Sequence, residues 1–128
     1  DEFINKRREI AKKYNKLLSA NNFLILPRSH NTIDHAYHLY PLQIKFEELG
    51  LSKIQFFKKM KQAGINLQVH YVPIHLQPYY KKNYNFKLGD YQISENFYNR
   101  EVSLPIYPSL LSNDLKLIVN KIVEILNL

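Results

Sequence analysis

The sequence predicts an α+β domain, a small, mostly antiparallel sheet with helices packed on one side. Three observations predict it. Apolar residues recur at helical three-and-four spacing near residues 2–18, 53–63 and 114–126. Between these segments lie short runs rich in aromatic and branched residues, which read as strands. In the middle of the chain the order strand, helix, strand fits a helix laid on a small sheet.

Taken in order, residues 2–18, EFINKRREIAKKYNKLL, read as an amphipathic helix. Phe3, Ile10, Tyr14, Leu17 and Leu18 fall near one face, with Lys and Arg over the rest. Asp1 and Glu2 stand at its positive end, where acidic groups are favoured. The chain opens Asp1-Glu2-Phe3 without a Met and enters the helix at once, so we expect a processed protein or a piece of a longer one. NNFLILPRS, 21–29, is a short apolar run stopped by Pro27, and HNTIDH, 30–35, is a polar loop.

AYHLYPLQIKF, 36–46, reads as a strand, and Pro41, lacking a backbone N–H, places it at an edge or a bulge. Ser52 is expected to cap a helix KIQFFKKMKQA, 53–63, with Gly64 just past its end. Ile54, Phe57, Met60 and Lys61 carry its helical spacing. GINLQVHY, 64–71, is a third strand-like run, and 72–90 is irregular, with two prolines and a glycine. Asp90 is expected to cap a short helix YQISENFYNRE, after which VSLPIYPSLL returns extended. Ser112 or Asn113 then caps a last helix with Leu115, Ile118, Val119, Ile122 and Ile125 on one face. No internal repeat or low-complexity segment interrupts a single domain over 1–128.

At 128 residues a domain buries about two thirds of its unfolded surface. Hydrophobic content of 45% and charged content of 23% are those of a globular protein. No apolar run approaches the roughly 20 residues of a membrane span. The absence of cysteine excludes disulfides and thiol catalysis and fits a reducing compartment. The net charge of +7 admits a polyanion partner, so an independent basic module for nucleic acid is the alternative reading. No recognition motif accompanies that charge, so nucleic acid is not the expected partner.

No centre able to catalyse by itself is legible. His30, His35, His38, His70 and His75 match no standard zinc spacing, so no metal is expected. There is no Gly-x-Ser-x-Gly elbow. Glu47 and Glu48 are adjacent and therefore diverge. Gly50, Gly64 and Gly89 each stand alone, placed like caps or turns rather than as a phosphate cradle. What remains is LQVHYVPIHLQPYY, 67–80. In a strand over 67–71, Gln68 and His70 point one way and Val69 and Tyr71 the other. Pro73 and Pro78 stiffen the loop that follows. Stiff backbone carrying His and Tyr suits a grip on phosphate or hydroxyl groups. A Tyr- and Pro-rich loop that only packs is the other reading.

Four segments in this order resemble the C-terminal small domain of the DegT/DnrJ/EryC1/StrS sugar aminotransferases. They are RREIAKKYNKLL (7–18), HAYHLYPLQI (35–44), FFKKMKQAGINLQVHYVPIHLQPYY (56–80) and NFYNREVSLPIYPSL (96–110). The resemblance implies that the chain is the C-terminal fragment of a longer aminotransferase. Residues 1–19 would then form an interdomain-type helix and 20–128 the small domain. It implies a cytoplasmic homodimer in which pyridoxal phosphate takes an amino group from glutamate and passes it to a UDP-linked keto sugar. The lysine and other groups that hold the cofactor lie in the family's large domain. This chain is therefore expected to carry no catalytic and no cofactor-binding residue, and to be inactive alone. By motif match, His70, Tyr71, His75 and Tyr79 are the expected substrate-binding residues. His38 and Tyr40 match a family position that also suits a structural strand role, and SLPIYP, 103–108, is expected to support the loop.

Overall fold

The computed structural model describes residues 1–30 and 32–128; Asn31, within the polar loop read over 30–35, lies outside the described residues. The elements are α1 (Glu2–Leu18), β1 (Leu24–Ile25), β2 (Tyr40–Ile44), α2 (Phe46–Leu49) and α3 (Lys53–Gln62), then a 3-10 turn (Ile74–Leu76), α4 (Pro78–Tyr84), α5 (Gln92–Arg100), β3 (Glu101–Leu104) and α6 (Ser112–Leu126). The three strands form one antiparallel sheet in the order β1-β2-β3. The α+β class with a small antiparallel sheet is therefore as the sequence predicts.

Alternation divides the sheet into two faces of different chemistry. Tyr40, Leu42 and Ile44 of β2 are buried, and opposite them in register stand Leu104 and Val102 of β3. This face meets α1, α3 and α6. Tyr14 of α1 packs on Tyr40 with ring centroids 4.9 Å apart, and Phe56 of α3 lies 5.6 Å from Phe46. Leu115, Ile118, Val119, Ile122 and Leu126 of α6 complete the core. The two buried phenols keep partners: Tyr14 donates to the Pro105 carbonyl at 2.9 Å and Tyr40 to the Asn15 side chain at 2.6 Å. Burial raises both phenol pKa values.

The expectation that Pro41 marks an edge or bulge is not met, since β2 is the central strand. Pro41 pairs with Ser103, whose own N–H and C=O turn outward to Gln68. The 41/103 pair is thus a non-hydrogen-bonded one, and the N–H that proline lacks would have faced the β1 side. There β1 pairs only with Gln43 and Ile44, so no acceptor is left waiting. The third strand read over 64–71 is also absent: it shrinks to a single bridge, Gln68 to Ser103. The stretch read as irregular contains α4, which starts with Pro78 in its first turn, where a missing N–H costs nothing, and closes at Asn85 in the left-handed region.

The ends of α3 are as expected, with a Ser52/Gln55 capping box and Gly64 at φ +79°. Its buried residues differ: Phe56 and Met60 face the core, while Ile54 is 82% exposed. Two apolar sets interleave on this helix, and the sheet takes the one whose large side chains meet Phe46. In α1, Phe3 and Leu17 are exposed and Ala11 is buried; in α6, Leu126 is buried where Ile125 is only half so. Asp90 does not cap α5. Its carboxylate closes a turn on the Lys87 N–H, and Glu95 takes the N–H of Tyr91, the residue at the cap. Leu111 precedes α6 without a side-chain cap, and Ser112 instead accepts from Lys13 at 2.9 Å.

Phe56→Ala should cost about 3–5 kcal/mol by opening a cavity in this core. Ile54→Ala, two residues away on the opposite side of the helix, should stay within about 0.5 kcal/mol. Urea denaturation of both variants distinguishes this helix phase from the one the sequence suggests.

Candidate functional site

The second face of the sheet is polar where β3 crosses it. Val102 and Leu104 point to the core, so Glu101 and Ser103 point the other way, and both are nonetheless buried. The segment after α3 covers them. Gln68 exchanges two backbone hydrogen bonds with Ser103, at 3.4 and 2.9 Å, which lays residues 68–70 along the β3 edge. His70 then donates its backbone N–H to Glu101 Oε2 at 3.0 Å. Its ring Nδ1 stands 2.8 Å from Ser103 Oγ, and Ser103 Oγ stands 2.5 Å from Glu101 Oε1. Lys53 lies behind the carboxylate, donating to the Tyr98 carbonyl at 2.6 Å with its ammonium 4.7 Å from the Tyr98 ring centroid. Burial lowers the Lys53 pKa, and the negative charge of Glu101 works against that effect.

His70 is half-buried, with Tyr71 beside it edge-on at 4.6 Å between ring centroids, and their peptide bond is cis. Tyr71 is 71% exposed. His75 sits differently: only 6% exposed, it places Nε2 2.7 Å from Glu95 Oε1 and its ring 4.7 Å from that of Tyr91. Glu95 also receives the Gly89 N–H at 2.9 Å, so the His75–Glu95 pair ties the 3-10 turn to the start of α5. Tyr79, on α4, is 63% exposed and packs against Tyr80 and Tyr84. The structure thus brings His70 and Tyr71 together at one place, keeps Tyr79 on a separate aromatic surface, and buries His75 as an anchor.

Two adjoining hollows open on this side. One, of about 290 Å³, is lined by His38, Gln68, His70, Ser103 and Pro105, among others. The other, of about 570 Å³, includes Arg28, His35, Pro41 and Phe97. His38 and Leu39 line both, so they form one cleft past the mouth of the sheet. Arg8 of α1 steadies its rim, donating to the His35 carbonyl at 2.9 Å and pairing with Asp34 at 2.5 Å. Imidazoles and a guanidinium around an open cleft can bind hydroxyls and anionic oxygens. Sequence reasoning missed Glu101 and Arg28, and named Ser103 only within SLPIYP, 103–108, as support for the loop. The alternation Glu-Val-Ser-Leu over 101–104 carries the signal for Glu101 and Ser103, since a strand begun at Glu101 turns both polar residues to one face.

The surroundings of Lys53 do not fit a pyridoxal phosphate site. Lys53 has its ammonium bound to a carbonyl and neighbours a carboxylate, and no phosphate cradle adjoins it. Gly50, Gly64 and Gly89 are all in turns at positive φ. Among the described residues no three His, Asp or Glu side chains converge as metal ligands, and no helix is long and apolar enough to cross a membrane.

The family model for the DegT/DnrJ/EryC1/StrS aminotransferase family matches residues 1–123. An uncharacterized protein of Methanocaldococcus jannaschii, MJ1066, is 39% identical over 127 residues, which are 98% of this chain and 33% of that protein. The UDP-4-amino-4,6-dideoxy-N-acetyl-beta-L-altrosamine transaminase of Campylobacter jejuni is 31% identical over 128 residues, again 98% of this chain and 33% of its own. The chain therefore spans about a third of the length of these curated relatives. In fold it is similar to Helicobacter pylori PseC, an aminotransferase involved in the biosynthesis of pseudoaminic acid. The TM-score is 0.87 at 24% identity, covering 98% of this chain and 33% of that one.

Burial works to raise the Glu95 pKa, but the hydrogen bonds from His75, Gly89 and Tyr91 outweigh it and hold the carboxyl below its ordinary value of 4.5. A carboxyl whose folded pKa is lowered contributes stability above the ordinary value, and loses it as pH falls through the folded pKa. The chain should therefore weaken as pH drops below about 4.5, and Glu95→Gln should flatten that decline. Urea midpoints measured from neutral pH into this acid range check the slope.

Proposed function

The chain belongs to the DegT/DnrJ/EryC1/StrS aminotransferase family, and from that premise we propose that it is the C-terminal part of a longer, pyridoxal-phosphate-dependent nucleotide-sugar aminotransferase. Residues 1–19 join it to a large domain, and 20–128 form the small domain. The longer protein is a cytoplasmic homodimer that moves an amino group from glutamate to a UDP-linked 4-keto-6-deoxy sugar. The name of the Campylobacter relative supports a UDP-linked 4-amino-4,6-dideoxy sugar, which we read as one destined for pseudaminic acid and for flagellin or other surface glycans. The cofactor, which supplies the electron sink for amino transfer, is held outside this chain.

The observation that carries this reading is His70, an imidazole gripped at backbone and ring, half-buried at the mouth of an open cleft with Tyr71 exposed beside it. Such a group binds at low entropic cost because its rotamer is already chosen. His70 and Tyr71 meet the sugar nucleotide. Tyr79 adds an aromatic surface at the far end of the loop. His75 serves the same site from within, by holding the loop on Glu95. Arg28 gives the cleft a positive charge, and the His35 and His38 rings line it beside that guanidinium as polar partners for a diphosphate. The net charge of +7 is read here as attraction for that substrate rather than for a nucleic acid.

In the longer protein, His70→Ala should lower kcat/KM for the sugar nucleotide about tenfold. The glutamate half-reaction should change much less. Equal losses in both half-reactions would remove His70 from the sugar side. The 128-residue chain, mixed with an equimolar amount of pyridoxal phosphate, should give no borohydride-stable lysine adduct by mass spectrometry. A stoichiometric adduct on one lysine would mean that the chain carries a cofactor site of its own.

A further inference from the structure

We propose that Ser103 and Glu101 are positioning residues that hold His70 as its Nδ1–H tautomer, so that Nε2 faces the cleft as a hydrogen-bond acceptor. Ser103 has one hydroxyl hydrogen and two lone pairs. Its Oγ lies 2.5 Å from Glu101 Oε1, and a carboxylate can only accept, so that hydrogen goes to Glu101. The same Oγ lies 2.8 Å from His70 Nδ1. Having spent its hydrogen, it can only accept there, so Nδ1 carries the proton. Glu101 Oε2 is occupied by the backbone N–H of His70 at 3.0 Å. One buried carboxylate therefore grips the same residue twice, directly at the backbone and through Ser103 at the ring.

Both oxygens of Glu101 stand where acceptors are required. The side chain receives an N–H and an O–H, and the ammonium of Lys53 is close enough to feel its charge. A neutral imidazole protonated at Nδ1 has its lone pair at Nε2. Among the described residues Nε2 of His70 has no protein partner, and the ring lines the 290 Å³ hollow together with Ser103, Gln68 and His38. In water a neutral histidine side chain favours the opposite tautomer, so the relay reverses a default. The consequence is a preference in ligand chemistry. A neutral His70 can accept from a hydroxyl or an N–H, and cannot donate to a phosphate oxygen. This inference rests on the reading of His70 as a sugar-nucleotide contact, and it assigns His70 to a hydroxyl or amide group of the sugar rather than to the diphosphate.

Long-range proton–nitrogen NMR on the histidine-labelled chain tests it, at a pH of about 8.5, above the ordinary imidazole range. His70→Gln identifies the signal. The expected pattern is a pyrrole-type Nδ1 and a pyridine-type Nε2 for His70; the reverse pattern overturns the proposal. Ser103→Ala should return His70 to the Nε2–H tautomer, and Ser103→Thr, which keeps the hydroxyl, should not. An Nδ1–H signal that persists in Ser103→Ala overturns the relay. In the longer protein Ser103→Ala should raise KM for the sugar nucleotide about fivefold, with Ser103→Thr restoring it. The expected NMR pattern together with an unchanged KM overturns the sugar-facing role of His70 while leaving the relay in place.

Discussion

A carboxylate with no solvent contact must have its charge answered by neighbours, because removing it from water unpaired would cost several kcal/mol. Glu101 is fully buried at the head of β3, and much of the second face of the sheet is arranged around it. Its two oxygens take the Ser103 hydroxyl and the His70 N–H, and Lys53 stands close by. Lys53 is itself the first residue of α3, fixed by the Ser52 cap. The carboxylate thus connects the start of one helix, the strand that bears it and the segment that returns after the helix. The same demand explains why residues 68–70 approach β3 and yet form only one bridge. At His70 the backbone N–H turns to the carboxylate, so the ladder cannot continue.

From that arrangement a division of labour follows. The apolar face of the sheet, with α1, α3 and α6 upon it, provides the stability that keeps β2 and β3 in register. The other face can then hold polar groups that would be costly in an unsupported strand. The cleft lies at its end, where the chain enters β2 and leaves β3. Its side chains come from four separated parts of the sequence, near residues 28, 38, 70 and 103. A second buried pair, His75 with Glu95, does for the loop and α5 what Glu101 does for the sheet. Both devices restrain the backbone on either side of the exposed Tyr71.

Legibility in the sequence followed the kind of interaction. The long helices were readable because amphipathic spacing is local, and α3 was readable to its ends because Ser52, Gln55 and Gly64 make caps of their own. Helix phase was less readable: Ile54 and Phe56 are equally apolar, and only the position of Phe46 selects between them. Pro41 was misplaced because a proline's cost depends on which side its missing N–H would face, and that depends on the length of β1. His70 and Tyr71 were legible as a candidate pair through motif resemblance. Glu101 was not, and Ser103 was legible only as part of SLPIYP, a segment expected to support the loop, since nothing local marks either as a partner of a histidine.

By itself, the sequence determined the α+β class, the family resemblance and the main helices. These rest on periodicity, caps and residue inventory, all of which are local or compositional. Only the tertiary structure decided that β2 is central, that 64–71 is a single bridge and that His75 is an anchor. It also decided that His70 is aimed by a buried carboxylate through a serine. Each of those depends on which groups are denied water, and burial is a property of the assembled layers rather than of any stretch of chain.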